Sequence, residues 1–215
     1  MTTRESEPEL PATLGGPGWR PRRRSHAEEI GRLWADCGCR SEVETLRSVL
    51  LAWPGDDLGE LDPDASLFID RVDVAEMRRQ TSAVAETFEA LGIEVVIERA
   101  KQAPPNFIFQ RDLFFMTPEG AILARTASEQ RAGEERFAAA ALARIGVPIL
   151  ATPRGRALFE GADALWLMPD CVLIGVGIRT NREGADCVAR VLKDLGVATR
   201  QCALPEQTQH LLGVV

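Results

Sequence analysis

Apolar residues recur with two different periods along this chain. Short apolar-rich runs predict strands: RSVLLAW (47–53), IEVVIE (93–98), DLFFMT (112–117), AILA (121–124), VPILA (147–151), DALWLM (163–168), CVLIGVG (171–177), VATRQCA (197–203) and HLLGVV (210–215). Longer stretches with apolar residues every three or four positions predict helices over Val74–Leu91, Glu129–Ile145 and Arg182–Leu195. Ser128 and Asn181 suit the N-caps of the last two, and Gly92, Gly146 and Gly196 mark the three stops. Thr117-Pro118-Glu119-Gly120 and Met168-Pro169-Asp170 predict tight turns, so the strands flanking them pair as hairpins. A shorter helix is expected over Ala27–Ala35, with Ile30, Leu33 and Trp34 on one face. Residues 1–26, rich in Pro, Gly, Glu and Arg, show no apolar period and predict a disordered leader ahead of a single domain over 27–215.

The elements repeat. Three times a helix ends in Leu-Gly or Ile-Gly and a strand follows: LGIEVV, IGVPIL and LGVATR. A polar residue keeps the same pace, since Asp112, Glu160 and His210 lie 48 and 50 residues apart. Proline after an apolar strand, at Pro54, Pro118 and Pro169, is a third such feature. A period near 50 residues built of strand, hairpin, helix and strand predicts an α/β fold of stacked or radial modules. In a ring of that kind, equivalent positions meet at the axis. Two carboxylates and an imidazole would then share one pocket.

Charge narrows the partners. The net charge of −7 argues against a nucleic-acid face and against docking on an anionic membrane. The one basic cluster, Arg20, Arg22, Arg23 and Arg24, falls in the leader and reads as a solvated tail. No apolar stretch is long enough for a membrane span, and the N-terminus lacks an apolar signal core. Five cysteines, an odd set without zinc-loop spacing, and only two histidines predict reduced thiols in a cytoplasmic protein with no structural metal and no cofactor.

Two converging carboxylates suit a planar cation with several donors, and a guanidinium pairs with them in bidentate fashion. Its carbon is a poor electrophile. Breaking a C–N bond there calls for a strong nucleophile such as a thiolate and for a histidine to protonate the leaving amine.

Four blocks carry a family resemblance. SEVETLRSVLLAWPG (41–55) resembles the opening segment of the arginine deiminase, dimethylarginine dimethylaminohydrolase and amidinotransferase families. PPNFIFQRDLFFMTPEGAIL (104–123) is similar to their Asn-x-x-Phe-x-Arg-Asp block, and FEGAD (159–163) with GVGIRTNREGA (175–185) to their Glu-Gly-Gly-Asp and Arg-Thr-Asn-x-Glu-Gly blocks. QHLLGVV (209–215) looks like the start of their histidine block.

The resemblance implies a pentein α/β propeller, of which this chain carries about three modules plus one strand. It also implies catalytic roles for Glu160 and His210 and guanidinium binding by Asp112. Arg179 would hold a substrate carboxylate, and Asn106, Phe109 and Asp163 complete the substrate-binding set. The partner is a small guanidino compound, arginine or a methylated arginine.

Ala162 replaces the second glycine of the Glu-Gly-Gly-Asp block. Leu212 stands where deiminases and glycine-type amidinotransferases have Asp, so dimethylargininases are the nearer match. The family nucleophile is a cysteine beyond the histidine, and none of the five cysteines here matches it. The expectation is therefore an enzyme-family chain that is inactive by itself, with amidinotransferase, deiminase or a non-catalytic binder as alternatives. An unclosed ring is also expected to expose Val49, Leu50, Leu51, Trp53, Leu211, Leu212, Val214 and Val215 and to drive homo-oligomerisation.

Overall fold

The computed structural model describes residues 10–215. The first nine residues of the expected leader thus lie outside the described residues. From Leu10 onward the leader carries a short 3-10 turn at Ala12–Leu14, and Arg22 is ion-paired with the buried Glu29. The helix expected over Ala27–Ala35 is confined to His26–Glu29, opened by a Ser25 capping box. Gly31, with φ of 74°, turns the chain out of the helix immediately afterwards.

Three sheets follow in chain order. The first pairs β1 (Ser48–Ala52) in parallel with β2 (Glu94–Glu98), in register Ser48 to Glu94, with helix α1 (Val74–Ala90) between them. The second runs β3 (Phe114–Thr117), β4 (Gly120–Leu123) and, after helix α2 (Glu134–Arg144), β5 (Ile149–Ala151). The third runs β6 (Ala164–Met168), β7 (Cys171–Val176) and, after helix α3 (Arg182–Asp194), β8 (Ala198–Ala203). Both of these pair an antiparallel hairpin with a parallel third strand. The predicted period is therefore a structural repeat, and the incomplete propeller is seen as three sheets, one parallel pair and two mixed, that do not close on one another.

The repeat is enforced at the helix ends. Gly92, Gly146 and Gly196 all take left-handed backbone, with φ of 77°, 79° and 75°. In each case the glycine N–H reaches back to the carbonyl three residues earlier. The next amide bonds five residues back: Ile93 to Phe88, Val147 to Leu142 and Val197 to Leu192. This is the Schellman arrangement, with an apolar pair closing it each time. A Cβ at the glycine would oppose the left-handed turn.

Four elements depart from the sequence expectation. Ser128 caps nothing: Glu129–Arg131 is a separate 3-10 turn, and α2 begins only at Glu134 behind a left-handed Gly133. The Thr126 hydroxyl donates to the Arg131 carbonyl at 3.0 Å and ties that turn off from the helix. Asp112 does not enter a strand but lies in the helical turn Gln110–Leu113 just before β3. The run His210–Val215 is no strand, because the Leu211 amide is taken by a carboxylate and Leu211–Gly213 coils into a 3-10 turn. Contrary to the expected exposure, Leu211 is buried, and Leu212, Val49, Leu50, Leu51 and Trp53 are half-buried. Val214 and Val215 remain exposed as expected.

The largest core cluster joins the second and third sheets. Phe115, Ile122, Phe159, Trp166, Val172, Ile174, Val188 and Leu192 are buried together, and Phe115 stacks on Trp166 with centroids 5.6 Å apart. A two-bond bridge between Arg125 and Phe159 links the modules at the residue preceding Glu160. That seam sets the site.

Candidate functional site

Each member of the predicted trio comes from a different segment of the repeat. Asp112 stands on the turn before β3, Glu160 directly after the Arg125–Phe159 bridge, and His210 at the mouth of the last 3-10 turn. The structure brings them together: one polar atom from each lies within 4.8 Å of the others. His210 Nε2 is 2.8 Å from Glu160 Oε2 and 4.0 Å from Asp112 Oδ1. Glu160 is completely buried, whereas Asp112 and His210 keep 13% and 11% of their side chains accessible. Solvent therefore reaches the cluster at Asp112 and His210 but not at Glu160.

Glu160 is held from several directions. Its Oε1 accepts the Ala127 amide at 3.0 Å and faces Arg179 at 3.5 Å, and Oε2 faces Arg131 at 3.4 Å. Burial pushes its carboxyl up, but the His210 hydrogen bond, the Ala127 amide and the two guanidinium groups outweigh it, leaving it below the usual carboxylate range. The group therefore stays anionic and can orient a histidine. Local packing fixes the backbone too. Arg111 donates to the carbonyls of Gly161 and Ala164 and straps down the turn Gly161–Asp163. A Cβ at Gly161 would collide with the Phe114 carbonyl, so close approach of the two modules requires this glycine.

The other predicted residues divide. Arg179 is in the cluster, on Glu160, with 15% of its side chain accessible. Phe109 is half exposed, and its ring lies 5.9 Å from the Arg131 guanidinium. Asn106 turns its side chain away, donating to the Ser66 carbonyl at 3.0 Å; its own carbonyl faces Arg131 at 3.5 Å. Asp163 is completely buried behind His210, where it accepts the Leu211 amide at 2.9 Å.

Sequence reasoning missed Arg131 and Glu134. The Arg131 side chain, 5% accessible, lies 2.6 Å from Asp112 and 2.9 Å from Glu134, besides its contact with Glu160. Glu134 has no exposure, and burial pushes its carboxyl up to about 7 against the pull of Arg131. A signal was available: Arg131 follows Asp112 by 19 residues, the interval at which Arg179 follows Glu160. The trio offers one ligand atom per residue at spacings a divalent ion could bridge. Two guanidinium groups already face its carboxylates, however, and like charge opposes a metal there.

Thiols stand elsewhere. Among the described residues no cysteine joins the trio. Cys39 donates to the Ser41 carbonyl at 3.2 Å, and burial pushes its thiol and that of Cys37 up. Cys171 is buried in β7, and Cys187 and Cys202 lie on α3 and β8.

The fold and the site together define the class: a protein of the pentein, guanidino-modifying superfamily. Residues 75–209 match the family model described as arginine deiminase, which is more than half of the chain, and the chain belongs to that family. An arginine deiminase from Rhodococcus erythropolis is 34% identical over 104 residues, 47% of this chain and 26% of that protein. The solved DDAH from Pseudomonas aeruginosa, complexed with citrulline, superposes with a TM-score of 0.67 at 22% identity, covering 78% of this chain and 64% of that one. The substrate-bound N-terminal domain of ArgZ, a cyanobacterial arginine dihydrolase, gives 0.63 at 18% identity, covering 74% and 59%. The chain thus spans about a quarter of the matched deiminase and less than two thirds of the solved relatives. Among the described residues no helix is long and apolar enough to cross a membrane.

Proposed function

We propose that this chain carries the guanidinium-binding and acid–base part of an enzyme acting on arginine or a methylated arginine, most like a dimethylarginine dimethylaminohydrolase. The observation that supports the reading most is the convergence of Asp112, Glu160 and His210 to within 4.8 Å of one another, with Glu160 buried and Asp112 and His210 partly accessible. Asp112 Oδ1 faces a substrate guanidinium while Oδ2 is held by Arg131. Glu160 orients the His210 imidazole, which protonates the departing amine after a thiolate has attacked the guanidinium carbon. Arg179 receives the substrate carboxylate.

Leu212 supports the choice of a methylated substrate over arginine itself. It lines the same recess as His210, at the position where a deiminase would offer a second carboxylate. An arginine deiminase is the competing reading, favoured by the family match and by the Rhodococcus relative. Among the described residues no thiol stands beside the trio, so in this reading these residues bind a guanidino compound without cleaving it. Five free cysteines suit a reducing, cytoplasmic setting.

The test is a ligand panel read by thermal shift and by citrulline formation. Arginine and dimethylarginine are expected to raise the melting temperature and citrulline to raise it less, with no product above a catalyst-free blank. Equal shifts from arginine and from a neutral isostere of the same length would defeat the guanidinium reading. Citrulline formation would place a nucleophile among the five cysteines.

A further inference from the structure

His210 sits at the boundary of the 3-10 turn Leu211–Gly213 in extended conformation, φ −139° and ψ 157°, and its own side chain caps nothing. A helical turn leaves its first amides without partners. An acceptor on the boundary residue normally supplies one, but here that side chain is turned to Glu160. The acceptor comes from another module. Asp163, completely buried, takes the Leu211 N–H at 2.9 Å across 48 residues of sequence. A second buried bond fixes the other member of the pair, since the Thr180 hydroxyl, also without exposure, accepts the Glu160 amide at 3.1 Å.

We propose that Asp163 is a positioning residue for His210: its carboxylate caps the Leu211–Gly213 turn from outside and so holds the imidazole on Glu160. The alternative partner is close. Asp112 Oδ1 lies 4.0 Å from the same Nε2, so a modest rotation of an uncapped turn would transfer the ring from the orienting carboxylate to the guanidinium-binding one. Asp163 never touches the ligand in this account. The proposal rests on reading His210 as the acid–base group, but it can be tested without any reaction.

Only two histidines occur in the chain, and the other, His26, lies in the N-terminal segment on Glu119. In a His26→Gln background the hydrogen-bonded imidazole N–H of His210 should give a single downfield proton resonance. Asp163→Asn keeps an oxygen acceptor for Leu211; it should retain that resonance and bind arginine within about threefold of the parent. Asp163→Ala should broaden the resonance away and weaken arginine binding about tenfold, roughly the worth of one net hydrogen bond. An alanine variant that folds and keeps both resonance and affinity would overturn the proposal. If the alanine variant fails to fold, the asparagine variant decides. Its losing the resonance would mean that charge, not the cap, holds the ring. If no guanidino compound binds the parent, the functional reading falls, and the imidazole resonance still settles the role of Asp163.

Discussion

The second and third modules share one topology but use it differently. In the third, Asn181 caps α3 through the Gly184 amide, the helix runs Arg182–Asp194, and β8 pairs with β7 over six residues. In the second, α2 starts late, β5 has three residues, and its pairing with β4 is broken by a register shift. The residues withheld from regular structure are 126–133, the loop that delivers Arg131 to Asp112 and Glu160. Each module places an arginine 19 residues after its acid, yet the two arginines end in different states. Arg131 is enclosed by three carboxylates, whereas Arg179 contacts one of them and stays partly accessible. One module therefore gives up regularity to enclose its arginine among carboxylates, and the other keeps regularity and leaves its arginine partly accessible.

Removing each arginine should break this comparison most sharply. Arg131→Ala leaves the buried Glu134 without its ion-pair partner and takes one of two guanidinium groups from Glu160, so a loss of about 3–5 kcal/mol is expected in denaturant melts. Arg179→Ala is expected to cost less in the same melts, because Glu160 keeps Arg131, His210 and the Ala127 amide. Its effect belongs to the ligand: it should remove the preference for arginine over agmatine, which lacks the carboxylate. Equal destabilisation by both variants would erase the distinction between the modules.

The pH dependence of stability sharpens the same point. Burial holds the folded Glu134 carboxyl at about 7, above its ordinary 4.5, so the folded state binds more protons than the unfolded one between those values. Stability from this group must therefore fall as pH rises from about 4.5 to about 7. Glu160 acts oppositely: its depressed carboxyl stabilises the fold above the ordinary range, and this is lost as pH falls through the lowered value. Chemical denaturation across this range should show the decline, and Glu134→Gln should flatten it. A wild-type profile that rises steadily toward pH 7 would contradict the assignment.

The smallest effect concerns the repeat itself. Gly146→Ala and Gly196→Ala each place a Cβ on a left-handed helix end, and each should cost about 1–2 kcal/mol. Their similarity is the prediction. Very unequal costs would mean that the two helix ends are not equivalent.

These helix ends were also the most legible feature of the sequence, because a Gly stop followed by an apolar residue is local chemistry that packing does not override. The trio was legible for a related reason, since a fixed period carries a residue to the same point of each module. The misread segments were those whose backbone partners are remote. His210–Val215 looks like a strand until Asp163 takes the Leu211 amide, and Glu129–Ile145 looks like one helix until the Arg131 carbonyl is claimed by Thr126. Arg131 shares the period, but nothing local separates it from the chain's other arginines until its loop folds against Asp112 and Glu160.

The central claim is that Asp112 receives a guanidinium beside His210 while the buried Glu160 holds the imidazole. The direct measurement is calorimetric titration of the 215-residue chain with dimethylarginine and arginine, alongside the Asp112→Asn variant. Saturable binding is predicted for the parent, weakened about 10- to 100-fold in the variant through loss of charge-assisted hydrogen bonds. No binding to the folded parent, or equal affinity in Asp112→Asn, would contradict it.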